Sequence, residues 1–260
     1  MDRQLWKLKI VDAKVPAWPC PKCHEGRLAV LNDDLRYRET FNSRVSHSDE
    51  NWDPDWIAHR FGALLTCPSK NCAEVVSCVG VGGVELEYLE NSAGGVDQMY
   101  MTTFTPRFFC PPLRMLKLPE KCPAEVVEAM EKSFALFFAD PGSSLNYLRQ
   151  AAENLLTSLG VRRFLKDGTK LRRLDLARRI DLFKSKNAEV ASSLDAIRHL
   201  GNAGSHPGKV APDDVLDGYE IFEDVLSRLF TRHDKTLRKK VETIVRRKAP
   251  LSRLRSRRMK

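Results

Sequence analysis

Two cysteine pairs constrain the fold of this chain more than any other feature: Cys20 and Cys23 in "CPKC", and Cys67 and Cys72 in "CPSKNC". Thiolates so close in sequence can turn toward one ion, and four together suit a tetrahedral zinc. Binding it requires two distant segments to meet, which a small sheet accomplishes, and strand-like runs flank both pairs: "GRLAVL", "FGALLTC" and "EVVSCVGV". Four thiolates leave no open coordination position, so the expected role of the metal is to hold the fold. The competing reading is four buried, reduced thiols.

The cysteines number seven, an odd count, and the charged opening "MDRQLWKLKI" lacks the apolar stretch of an export signal. Both facts argue against a disulfide framework. With no run of about 18 apolar residues to cross a membrane, the expectation is a cytoplasmic chain. The Pro after the first Cys of each pair resembles the knuckles of zinc ribbons, although the second pair has four intervening residues where two are usual. That departure leaves Cys78, Cys110 or His24 open as a substitute ligand. Cys78, inside an apolar strand run, reads as core, and Cys110 and Cys122 have no assigned partner.

At 260 residues the chain has room for two domains. Residues 1–118 are rich in Pro, Gly, Trp and Cys, and their short runs, "VELEYLE" included, predict a small antiparallel β unit. The polar stretch "SHSDENWDPDW" reads as an insertion loop whose Trp52 and Trp56 fold back as a lid over apolar surface. The segment "TPRFFCPPLRMLKLPEKCP", residues 105–123 with five Pro, reads as an extended connector at the domain boundary.

Beyond it the apolar period becomes helical. Pro123 opens a helix through Val127, Met130, Phe134 and Phe137, which "DPG" breaks. Ser143 or Ser144 caps the next, with a stripe of Leu145, Leu148, Ala152, Leu155 and Leu159 ending at Gly160. A third is expected over 169–184 through Leu171, Leu174, Ala177 and Ile180, and a fourth over 187–200 through Val190, Leu194 and Ile197. A last helix starts near "APDD", with acids where a helix N-terminus favours them, and its spacing continues through Leu237, Val241 and Ile244.

Charge is concentrated at the end. Residues 235–260 hold twelve Lys and Arg against one acid, Glu242, a net +11 in a chain of +9, so the other 234 residues sum to −2. A basic tail on a near-neutral body predicts a polyanionic partner, nucleic acid first, with a solvated charge run as the plain alternative.

The stretch "DAIRHLGNAGSHPG", residues 195–208, gathers Arg198, His199, Asn202 and His206 where the helical pattern stops. Helix termination explains part of it: Gly201 as the left-handed cap, Pro207 as the stop, Arg198 complementing the macrodipole, and Asn202 holding a turn. The functional reading uses the same residues for RNA cleavage. Histidine titrates near neutrality and can move the protons of a 2′-hydroxyl and a leaving oxygen, while Arg clamps phosphate.

Residues 124–232 resemble a known family on two motifs, "LNYLRQAAENLL" with Arg149 and Glu153, and "IRHLGNAGSHPG", followed by "VAPDDVLDGYEIFEDVLSRLF". They look like the domain of unknown function on type I restriction subunits and stand-alone bacterial proteins, a branch of the HEPN superfamily. The resemblance implies a four- or five-helix bundle, often a homodimer, and in active members metal-independent RNA cleavage by an Arg, a polar neighbour and a downstream His. Carried over, these are Arg198, His199 and His206, with seven residues between Arg198 and His206 where active members place four to six. Defence against phage is implied by the resemblance alone. The expected fold class is thus α+β: a small antiparallel zinc-ribbon unit with its connector over 1–118, an all-α HEPN-like helical bundle over 119–234, and a basic helix or tail over 235–260. RNA rather than DNA is the expected partner; the alternative is a non-catalytic dimerisation or interaction module.

Overall fold

Alternation sets the first half of the molecule. The computed structural model describes residues 1–90, 95–167, 170–204, 210–231, 240 and 242–246. In it β1 (Ile10–Val11), β2 (Ala29–Glu39), β3 (Ala58–Thr66), β4 (Val75–Glu90) and β5 (Val96–Cys110) form one antiparallel sheet in the order β1-β5-β4-β3-β2, with a short helix α1 (Phe41–Ser46) after β2. Along β3, His59, Phe61, Ala63 and Leu65 are buried while Arg60 and Leu64 face outward, the period-two pattern of a strand with one covered face. The covered face packs on Trp18, Ile10 and Leu28.

The sheet corrects three expectations. The runs "EVVSCVGV" and "VELEYLE" are one strand, β4, rather than two. Gly80 and Gly82 do not turn the chain but make room for rings: a Cβ on Gly82 would lie 2.6 Å from Phe104 Cδ1, and one on Gly80 2.8 Å from Phe61 Cε1. Residues 105–110 of the expected connector complete β5, whose outer half, "VDQMYM", is too polar to announce a strand. Trp56 is 44% exposed, and Trp52 is half-buried with its ring 4.6 Å from that of His47. This loop folds on itself around Glu39, which accepts from Ser43 Oγ at 2.6 Å and lies 2.7 Å from His47 Nε2.

The second half is α2 (Ala124–Leu136), α3 (Pro141–Ser158), a hairpin of β6 (Phe164–Asp167) and β7 (Lys170–Arg173), then α4 (Leu176–Lys184), α5 (Ala188–Gly204) and α6 (Pro212–Phe230). The α+β class is therefore as expected. Pro123 is the N-cap of α2 rather than its first residue. "DPG" starts α3: Asp140 caps it by accepting from the Ser143 N–H, with Pro141 in the first turn, so Ser143 and Ser144 lie inside the helix. Of the expected stripe of α3, Leu145, Leu148, Ala152 and Leu155 are buried and Leu159, the C-cap, is partly so, and Gly160, at φ 76°, follows.

The third helix is shorter than expected. Leu171 belongs to β7 and is 74% exposed, and α4 begins only after Asp175, whose side chain accepts from Arg178 N at 2.8 Å. In the other direction α5 runs on to Gly204, so Gly201 does not end it; Gly201 lets the Arg149 side chain of α3 cross at close range, 2.7 Å from where a Cβ would stand. A buried polar knot ties three helices. Ser133 Oγ donates to Ser144 O at 2.8 Å, Ser144 Oγ donates to Ser133 O at 2.9 Å, and the Tyr219 hydroxyl is 2.9 Å from both hydroxyls.

One apolar core runs through both halves. Leu113, Met115 and Leu116 of the expected connector are buried in it, and the rings of Trp18, Phe109 and Phe138 meet edge to face or tilted at 4.9–6.3 Å. Arg3 and Lys7 clamp the N-terminal segment to α6, Arg3 reaching Asp213 and Glu220 at 3.3 Å as well as Asp217. Among the described residues no helix is long and apolar enough to cross a membrane. Lys240 and residues 242–246 are helical, Ile244 included, as the tail's spacing predicts; Leu237 and Val241 lie outside the described residues.

Candidate functional site

The first knuckle precedes β2 and the second joins β3 to β4, so pairing of these strands brings the cysteines together. Each knuckle turns back on its own backbone. His24 N donates to Cys20 O at 2.9 Å and Cys20 N to Gly26 O at 2.9 Å; in the second, Cys67 N donates to Glu74 O at 2.8 Å and Ala73 N to Ser69 O at 3.0 Å. The residue after the second cysteine of each pair is left-handed, His24 at φ 61° and Ala73 at φ 48°. Lys22 reaches across to Glu74 at 3.3 Å.

The four sulfur atoms lie within 4.8 Å of one another, with Cys20–Cys72 and Cys23–Cys67 both 3.7 Å apart. A tetrahedron of thiolates about 2.3 Å from a central zinc has edges of about 3.8 Å, so this set could hold a metal ion. The N–H groups of Gly26 and Glu25 point at Cys23 and pull its thiol down to about 6, toward the thiolate that a metal needs. Gly26 is obligatory here, since a Cβ on it would overlap Cys67 Sγ. Of the expected substitutes, none joins the cluster. Cys78 is buried in the core face of β4 with its thiol pushed up to about 12 by burial, Cys110 is exposed at the end of β5, and His24 lies outside the set, its pKa lowered by burial and then by the charges of Arg114 and Lys117. Cys122 is half-buried, with its thiol pushed up to about 11 by burial.

The second candidate lies on α5. Asp195, Arg198, His199 and Asn202 follow one another at helical spacing and make a polar stripe, while Leu194, Ile197 and Gly201 face the core. Arg198 Nε donates to Asp195 Oδ1 at 2.7 Å, and the Arg198 guanidinium donates to His199 Nε2, also at 2.7 Å. The guanidinium holds the Asp195 carboxyl below the usual range. The imidazole of His199 is 67% exposed. Asn202 Oδ1 accepts from Arg149, whose Nε is 3.7 Å from Glu153, itself 3.8 Å from Arg173. His206 lies outside the described residues.

Residues 9–109 are similar to a domain of unknown function (DUF8608), and residues 131–256 to a second domain of unknown function (DUF4145). No curated protein and no solved structure matches the chain. The first match covers the sheet and both cysteine pairs, and the second runs from within α2 into the basic tail.

Sequence reasoning placed Arg198, His199 and Asn202 together and missed their partners. Asp195 was legible as an acid one helical turn before Arg198. Arg149 was legible only as the intrahelical partner of Glu153, because its contact with Asn202 comes from the crossing of α3 and α5. Arg179 gave no signal: it is buried, donates to Glu153 O at 3.0 Å, Thr157 Oγ1 at 2.8 Å and Val161 O at 3.3 Å, and so satisfies the C-terminal turn of α3. Beside the stripe, a groove of about 510 Å³ is lined by Ala196, His199, Leu200 and Ala203 of α5 and by Asp217, Glu220 and Ile221 of α6.

Proposed function

We propose that the chain is a nucleic-acid-acting protein of HEPN type: a zinc-ribbon unit carrying one structural zinc on Cys20, Cys23, Cys67 and Cys72, joined to a helical bundle that binds RNA and cleaves it without a catalytic metal. The observation that carries the reading is the polar stripe of α5, which sets a cation and an exposed imidazole on one helical face. The segment similar to a domain of unknown function contains the residues that carry the HEPN resemblance. Arg198 would hold a phosphate, with Asp195 and His199 fixing the plane of its guanidinium, and His206 would move the proton. One such set per chain suffices when two copies face each other across a two-fold axis. Cys20, Cys23, Cys67 and Cys72 leave zinc no open position, so zinc supplies stability only.

RNA cleavage by the purified full chain tests this. His206→Ala should abolish cutting of a labelled single-stranded RNA and leave binding nearly intact, because the imidazole contributes little to ground-state affinity. Arg198→Ala should lose both. A chelator should leave cutting intact wherever the fold survives. If wild-type protein cuts no RNA and both variants lower the melting temperature by several degrees, the stripe is structural.

A specific observation favours the second reading, an interaction module without catalysis. The Arg198 charge is already met by Asp195, Asn202 is engaged by Arg149, and the adjoining groove is lined largely by apolar side chains, its carboxylates Asp217 and Glu220 already paired with Arg3. On that reading the groove receives a second copy, and RNA binding belongs to the tail and the ribbon.

A further inference from the structure

The outer face of the sheet leaves Leu64, Val79 and Phe108 open to solvent among the described residues. Its cross-strand rows follow from the register: Arg36 stands opposite Gly62, Gly62 opposite Val79, and Val79 opposite Phe108, while Arg38 stands opposite Arg60. Phe108 is 52% exposed, and Val79 and Leu64 are nearly as open. Gly62 lowers the middle of the face into a shallow groove of about 320 Å³, closed at one end by Asp34 and Arg36.

Three features of this face are costly for a chain that leaves it bare. Directly opposed like charges on neighbouring strands, Arg38 and Arg60, destabilise the pairing. Among the described residues none of Arg36, Arg38 and Arg60 is in an ion pair, although the chain pairs many of its other cations. Phe108 stands opposite Val79, and their exposed apolar area is removed from water when an apolar surface covers it.

From this we infer that the outer sheet face binds single-stranded nucleic acid, bases lying on Phe108, Val79 and the Gly62 groove, phosphates on Arg36, Arg38 and Arg60. The inference rests on the nucleic-acid reading above and adds where a strand docks on the ribbon unit. Charge complementarity selects the occupant, since three guanidiniums in no ion pair among the described residues fit a polyanion. Base–aromatic stacking beside a basic track is how single strands are held without sequence preference. A duplex hides its base faces from such a platform. A second copy docked isologously would set the guanidiniums of one sheet against those of the other. Asp34 is the one carboxylate lining the groove, an acceptor for the amino group of a base rather than a partner for phosphate.

The test is fluorescence anisotropy of a labelled twelve-nucleotide uridine RNA with the full chain, over a range of salt. Phe108→Ala should weaken binding about ten-fold at fixed salt, and Phe108→Tyr should restore it. The triple variant Arg36→Gln, Arg38→Gln, Arg60→Gln should make the log–log salt slope shallower by about 2, three phosphate contacts at about 0.7 each. The same charge loss placed on Arg44, Arg162 and Arg172 should change it less. Wild-type binding with Phe108→Ala and the sheet triple both unchanged overturns the sheet face while the nucleic-acid reading stands. Absence of wild-type binding at low salt overturns both. Light scattering that shows Phe108→Ala converting a dimer to a monomer overturns the sheet face in favour of a protein contact.

Discussion

Gly26 shows how much one residue can decide. It closes the first knuckle by donating its N–H to Cys23 Sγ at 3.4 Å and by offering its carbonyl to Cys20 N, and its missing side chain leaves the space that Cys67 Sγ fills. Gly26→Ala must push the two knuckles apart. We expect it to bind zinc at least ten-fold more weakly in competition with a chromogenic chelator and to melt at lower temperature. Wild-type affinity in this variant would mean that the cysteines do not close around an ion. Residue types and spacing made the four-cysteine cluster legible in the sequence. The need for Gly26 was not, because the atom it avoids belongs to the other knuckle.

At the scale of the element, Asp140 illustrates a boundary misread for a physical reason. "DPG" breaks α2, but Pro141 fits the first turn of a new helix, and the Asp140 side chain takes the free N–H of Ser143. The Ser143 hydroxyl and then its N–H hold the Asp140 carboxyl below the usual range. Its folded pKa is lower than its unfolded one, so the stabilisation is complete above about pH 4 and is lost as pH falls through the folded value. Asp140→Ala should cost about 1 kcal/mol in denaturant titrations at pH 7, and the difference from wild type should shrink as the pH drops below about 4. A difference independent of pH would show that the carboxylate is not the cap. Similar local chemistry hid the β6–β7 hairpin, where Leu171 falls on the helical period by coincidence and faces water. The long apolar stripes of α3 and α6 were legible because burial enforces them over several turns.

For the whole molecule, the composition shift after residue 118 marked a change of architecture, and the structure adds that the two halves share a core. Trp18, Phe109 and Phe138 meet across it, and Arg3 and Lys7 hold the N-terminus to α6. These contacts were invisible in the sequence because they join residues far apart along the chain with no periodic signal. Charge lies where a polyanion can use it: guanidiniums on the open sheet face, a cation and imidazole on α5, and +11 in the last 26 residues. The most direct measurement of that claim is the salt dependence of binding to single-stranded RNA, comparing the full chain with one ending at residue 234. We expect a steep slope for the full chain and a clearly flatter one for the shortened chain, because fewer cations release fewer counterions. No binding by the full chain at low salt, or an equal slope for the two, would contradict it.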